Sequence, residues 1–259
     1  MFVILLLATI QGISEFLPIS SSAHLLITPW LLHLSDPGLG FDAAIHIGTA
    51  VALIAYFYKD FLKLVRDRSP LLWYIVLATI PGATIGFLGD NMIETYLHDS
   101  SYAPLIVGIG MILFSFLLLY VDSVAKLERT SEKMTLKDSL FVGFAQALAL
   151  IPGTSRSGIT ITAGLWRGLK REDAARFSFL LAAPISLGAG LYKAYGLVKH
   201  PEAGLSIYMI ILGIIVSGLV GLAVIRWLLK YLSSHNMRLF VWYRMGFGLV
   251  VILAWILMR

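Results

Sequence analysis

Six apolar stretches, at about 41–58, 71–88, 102–121, 177–196, 207–229 and 239–258, are long enough or nearly so to cross a bilayer. The hydrocarbon core is about 30 Å thick, and a helix needs roughly 20 residues to cross it. No water at that depth can satisfy free peptide groups, so only helices or closed barrels span. Runs this long and this continuously apolar specify helices. Composition agrees: 58% of residues are apolar, 14% are charged, and mean hydropathy is +0.85. Soluble domains are about one quarter charged. The chain of 259 residues therefore reads as a single all-α, polytopic membrane domain, 1–259.

Two further apolar regions, 1–34 and 137–168, are each broken near the middle. The breaks are Pro18-Ile19-Ser20-Ser21-Ser22 and Pro152-Gly153-Thr154-Ser155-Arg156-Ser157. Each half is too short to span, so each region is expected to be a re-entrant helix hairpin. The N-terminal segment has no positive n-region of a signal peptide, and it runs directly into the first break as part of the fold.

Loop charge sets the expected orientation. Lys59, Lys63, Arg66 and Arg68 lie in one loop, Lys126, Arg129, Lys133 and Lys137 in a second. A third holds Arg167, Lys170, Arg171 and Arg176, and a fourth Arg226, Lys230 and Arg238. Lysine and arginine mark cytoplasmic loops. Segment 89–101, with Asp90, Glu94 and Asp99 and no base, belongs outside. Basic loops flank 139–166 on both sides, as a hairpin entering from the cytoplasm requires. Counting back, 1–34 enters from outside and both termini lie outside. The expected fold is two inverted-topology repeats, about 1–121 and 137–259, each a re-entrant hairpin plus three transmembrane helices. Gln11 can be laid over Gln146 with a one-residue gap before the proline.

Cysteine is absent, which removes disulfides, thiolate metal sites and a cysteine nucleophile. The basic balance, pI near 9.4, fits orienting loops. No basic stripe carries the interleaved aromatics of a nucleic-acid surface, so nucleic acid is not an expected partner. The bilayer is; a homo-oligomer is left open.

Ionisable side chains at membrane depth are functional by default. Glu15 and His24 lie at the first break and Arg156 at the second, among Ser20, Ser21, Ser22, Ser155, Ser157 and Thr160. A helix starting near Ser20 puts Ser20 and Ser21 on the face of His24. Gln11 and Glu15 are also four apart. A half-helix N-terminus offers unpaired N–H groups and positive dipole to a phosphate. Gly153 would let backbone approach a ligand closely, and Arg156 would fork two phosphate oxygens. Glu15 as a purely structural partner of Arg156 is the plainer alternative. Arg244 is expected to snorkel at a helix end. Asp42 and His46 share a face and would line an entrance or cap a helix.

These two segments resemble the bacitracin-resistance family of undecaprenyl-diphosphate phosphatases. Its hallmarks are an E/Q-x-x-x-E motif leading into Pro-x-Ser-Ser with a nearby histidine, and PGxSRSxxT. Here they read Gln11 to Glu15, Pro18 to Ser21 with His24, and Pro152 to Thr160. The resemblance implies hydrolysis of undecaprenyl diphosphate to undecaprenyl phosphate and inorganic phosphate, at an outward-facing site in the bacterial plasma membrane. It also implies a divalent cation, magnesium or calcium, for which Glu15 and Gln11 are the candidate ligands. Gln11 in place of a second carboxylate weakens that metal site. Catalytic roles fall to Glu15, Ser21, His24 and Arg156, with Ser20, Ser22, Gly153, Ser155, Ser157 and Thr160 around the substrate. Ser21 is the expected nucleophile, with His24 or Glu15 taking its proton; attack by water or by His24 stays open. The competing class is a carrier that flips undecaprenyl phosphate through the same anion pocket, since broken helices in inverted repeats also build transporters.

Overall fold

A computed structural model describes residues 1–93, 100–199 and 206–258. Of the acidic 89–101 segment, residues 94–99 lie outside the described residues. The elements are α1 (Phe2–Ser14), α2 (Ser21–Leu32), α3 (Leu39–Arg66), α4 (Pro70–Ile93), α5 (Ala103–Val124), α6 (Leu136–Ala147), α7 (Arg156–Trp166), α8 (Arg171–Lys199), α9 (Ile207–Leu232) and α10 (Arg238–Leu257). Among the described residues there is no strand, only an isolated bridge between Arg129 and Leu169.

Helices α3, α5, α9 and α10 are long and apolar enough to cross a membrane. Helices α4 and α8 are comparably long, at 24 and 29 residues, and pack among them. The six expected spans thus correspond to six long helices. Exposed large apolar side chains such as Leu113, Phe116, Leu219, Leu249 and Leu253 face outward along them, which suits a lipid solvent. The chain is an all-helical, multi-pass membrane protein.

The two broken regions form two short-helix pairs, α1–α2 and α6–α7. At 1.5 Å per residue none reaches about 20 Å, well short of the hydrocarbon core. Local chemistry starts them where it does. Thr135 and Asp138 form a capping box at α6, and the Ser155 hydroxyl accepts from the Gly158 N–H at α7. Helix α1 packs on α9, and α6 packs on α4.

One end of the bundle is laced by charge. Buried Asp138 accepts from Arg129 Nη2 and Arg167 Nε, each at 2.6 Å, and from the Thr135 N–H at 2.9 Å. Arg171 Nε donates to Asp122 at 2.6 Å, and the other Asp122 oxygen accepts the Met237 N–H. Arg176 pairs with Asp60. All four basic segments therefore meet at the same end. The outer parts of α1 and α2, through Ile4, Leu7 and Leu25, cluster instead with Phe41 and Ile45 near the start of α3. The two bends meet, through Ser157 on Leu17 and Arg156 on Glu15.

Candidate active site

The meeting point is built from the ends of three short helices. Glu15 follows α1, Ser21 opens α2, and Arg156 opens α7. The Ser21 hydroxyl donates to Glu15 Oε2 at 2.6 Å. Gln11 Nε2 donates to the same oxygen at 3.0 Å, one helical turn away. Glu15 Oε1 accepts from Arg156 Nη2 at 2.6 Å. The other arm of that guanidinium, Nη1, donates to Ser186 Oγ at 2.9 Å. His46 on α3 donates through Nδ1 to the Asp42 carbonyl and turns Nε2 to within 3.7 Å of Glu15 Oε2. A gap beside this set is lined by Glu15, Arg156, Ser186 and Thr49, with Phe16, Ala50 and Leu53.

A carboxylate this buried would be costly alone. Arg156 neutralises it, and the hydrogen bonds from Ser21 and Gln11 favour its charged, proton-accepting form. The arrangement is a serine hydroxyl held against an ionised carboxylate, with a cation on the other side.

His24 is placed differently from the spacing argument. Its Nδ1 lies 2.7 Å from the Ser20 carbonyl and its Nε2 lies 2.7 Å from the Tyr243 hydroxyl. The Ser20 carbonyl can only accept, so Nδ1 carries a proton and both ring nitrogens are engaged. The imidazole stacks on Phe247, 4.5 Å between centroids. Sharing a helix face with Ser21 did not bring the two side chains together, because α10 captures the ring. Glu15 is the group against Ser21.

The remaining predicted residues divide. Ser20 is buried, with its hydroxyl 3.4 Å from that of Ser22, and Ser22 is exposed. Ser157 donates to the Leu17 carbonyl at 2.8 Å, tying the second bend to the first, and lies 3.2 Å from Ser155 Oγ. Thr160 bonds the Arg156 carbonyl and Ser178, so it braces α7 against α8. Gly153 has φ +85°, and a Cβ there would strike the Val107 carbonyl and come within 2.9 Å of the Met111 nitrogen. Its missing side chain permits close packing on α5. Asp42 presents its carbonyl to His46.

Arg244 corrects a sequence expectation outright. It is fully buried rather than snorkelling. Nη1 donates to the Pro18 carbonyl at 3.2 Å, and Nη2 donates to the Gly153 and Thr154 carbonyls, both at 2.9 Å. The bends leave carbonyls without helical partners, and the buried guanidinium satisfies them. Sequence reasoning also missed Ser186, Tyr243 and Thr49. An arginine inside a 20-residue apolar helix was a readable signal for Arg244; nothing comparable marked Ser186.

Among the described residues, no group of three or more His, Cys, Asp or Glu is arranged to hold a metal ion. The fit to a cation rests on Gln11, whose Oε1 is buried with no partner beside the Glu15 carboxylate. One carboxylate and one amide oxygen suit an ion whose other ligands come from phosphate oxygens and water.

Comparison with known proteins agrees with this geometry. Residues 4–250 match the family model for bacitracin resistance protein BacA. The chain is similar to the undecaprenyl-diphosphatase of Pelotomaculum thermopropionicum, 44% identical over 97% of this chain and 95% of that protein. It is similar to the proteins of the same name from Caldicellulosiruptor bescii, 42% identical over 100% and 98%, and Nitrosococcus oceani, 46% identical over 95% of each. A match this long, with both broken-helix motifs inside it, places the chain in the BacA bacitracin resistance family.

Proposed function

We propose that this chain hydrolyses undecaprenyl diphosphate to undecaprenyl phosphate and inorganic phosphate, renewing the lipid carrier used in cell-wall synthesis. One observation carries the reading: Ser21 Oγ is hydrogen-bonded at 2.6 Å to a Glu15 carboxylate that Arg156 neutralises, at the meeting of two bent hairpins in a membrane bundle. The names of the relatives point the same way. The polyprenyl tail stays in hydrocarbon while the diphosphate reaches the bends.

Ser21 Oγ attacks the terminal phosphorus and its proton passes to Glu15. The bond to the bridging oxygen breaks, and undecaprenyl phosphate leaves with that electron pair. Glu15 hands that proton to the departing undecaprenyl phosphate, then takes one from a water molecule whose oxygen attacks the phosphoseryl phosphorus; the bond from phosphorus to Oγ breaks, Ser21 Oγ takes the proton back from Glu15, and inorganic phosphate is freed. Arg156 stabilises the transferring group through its Nη1 arm. That arm rests on a neutral hydroxyl, Ser186, which a phosphate oxygen can replace, while Nη2 keeps its hold on Glu15. A full two-oxygen fork from Arg156 would require release of Glu15. A magnesium or calcium ion held by Glu15 and Gln11 Oε1 would offset charge on the diphosphate oxygens. His24, with both ring nitrogens engaged, supports the start of α2 rather than the proton transfer.

The same reading places the site toward the outside of the plasma membrane, with both termini outside and the two halves as inverted repeats. Three features support it. The basic segments gather at one end. The α1–α9 and α6–α4 packings exchange under the repeat. Ser20 and Ser155, each nine residues after a buried glutamine, share a rare backbone conformation. A carrier of undecaprenyl phosphate has use for Arg156 but none for the Ser21–Glu15 pair. Purified protein should release phosphate from undecaprenyl diphosphate, and a chelator should suppress it. No release from folded protein refutes the activity; release indifferent to chelator removes the cation.

A further inference from the structure

Among the described residues, Arg244 hydrogen-bonds to three backbone carbonyls and to no carboxylate. Burying a cation without an ion-pair partner is costly, and the three carbonyls are what hold it. The three carbonyls belong to the segments just before Ser20 and Ser155. Those serines are the N-caps of α2 and α7, with φ 73°, ψ 94° and φ 72°, ψ 116°. Non-glycine residues in such regions are costly and persist only where surroundings over-determine them. The next residue after each is a reacting group: Ser21 after Ser20, Arg156 after Ser155. One guanidinium therefore grips both bends one to two residues upstream of the strained serines that aim the nucleophile and the phosphate-binding cation. Its neighbour Tyr243 holds His24, whose other nitrogen is bonded to the Ser20 carbonyl. Gly158 completes the fit, because a Cβ there would lie 2.9 Å from Arg244 Nη1.

We propose that Arg244 is a positioning residue: its guanidinium, shared between the two hairpin bends, sets the separation of Ser21–Glu15 from Arg156 at which phosphoryl transfer occurs. The proposal rests on the phosphatase reading for its rate arm only. The planar fork is essential, because it reaches carbonyls of two separate segments at once.

The test uses Arg244→Met, Arg244→Lys and Gly158→Ala in the full chain. Readouts are kcat and KM on undecaprenyl diphosphate, thermal stability, and a spin-label distance between cysteines at Ile13 and Ile151, flanking the bends in a chain without native cysteine. Arg244→Met should lower kcat about 100-fold, the scale expected when reacting groups shift by about an ångström. KM should stay within about three-fold, since the diphosphate-binding groups remain. The label distance should broaden or shift. Arg244→Lys should fall between Met and wild type on both. Gly158→Ala should slow turnover and move the label distance in a protein that still folds, because the added methyl meets the end of the Arg244 side chain while alanine favours the helix that it occupies.

Folded Arg244→Met or Gly158→Ala with wild-type kcat overturns the proposal, as does a lost rate with an unchanged distance. If Arg244→Met does not fold, the other two variants decide by the same criteria; native kcat and distance in Arg244→Lys would show that the fork is not needed. Absence of phosphate release by wild type would refute the activity, and the label distances would still judge Arg244.

Discussion

The Ser21 hydroxyl and the Glu15 carboxylate stand 2.6 Å apart although six residues separate them across a helix end, a bend and a helix start. No regular helix brings positions i and i+6 together; the bend at Pro18 to Ser20 does. A hydroxyl and a carboxylate are thereby placed on opposite walls of one turn.

Ser21→Ala should reduce kcat by at least about 10³-fold while diphosphate binding persists. Arg156 and the open first turn of α2, which Ser20 does not cap, remain as anion contacts. Ser22→Ala should change kcat by less than about three-fold, because its side chain is exposed and bonded only to Ser20. Near-native turnover by Ser21→Ala would remove serine as nucleophile.

Glu15→Gln keeps the shape but loses the proton acceptor, and kcat should fall about 10²–10⁴-fold. Arg156→Lys should cost about 10²-fold, since a point charge cannot hold both Glu15 and a phosphate oxygen as the fork does. His24→Gln should be milder than Glu15→Gln, because His24 touches neither Ser21 nor Glu15. A rate ranking with His24→Gln below Glu15→Gln would restore the histidine as base.

Single cysteines at Ser123 and Ser101 probe the topology in the cysteine-free background. Both positions are exposed, at opposite ends of α5. An impermeant maleimide should reach Ser101→Cys from outside intact cells and Ser123→Cys only after permeabilisation. Labelling of both from outside is incompatible with inverted repeats.

Asp138 at the mouth of the second hairpin is the anchor of the charged end. Burial alone would raise its carboxyl, but Arg129, Thr135 and Arg167 outweigh that and hold it well below the usual carboxylate range. A depressed folded value stabilises above the unfolded carboxylate range, near about pH 4, and is lost as pH falls below it. Asp138→Asn should therefore destabilise by about 1–3 kcal/mol, evenly from pH 5 to 8, with the lower end favoured because both arginines are part-exposed. Thermal unfolding in detergent at pH 5 and pH 8 measures this. A Tm loss present at one pH only would show another group to be titrating.

The sequence by itself determined the solvent, the helices and the chemistry-bearing segments. Apolar runs near 20 residues can satisfy their backbone only as helices in lipid, and prolines with hydroxyl clusters can only interrupt them, so both hairpins were readable. Lysine and arginine counts were enough to gather four distant loops at one end. Partner choice was another matter. Ser21 and His24 share a helical face by spacing, yet Tyr243 and Phe247, more than two hundred residues away, hold the ring elsewhere. Arg244 looked like a helix-end cation until the bends of α1–α2 and α6–α7 brought unpaired carbonyls around it. Ser186 had no local signal at all and matters only because α8 passes Arg156. Local periodicity fixes which way a side chain points along its own helix. Which acceptor it meets there depends on contacts between residues remote in sequence, and only the packed bundle decides those.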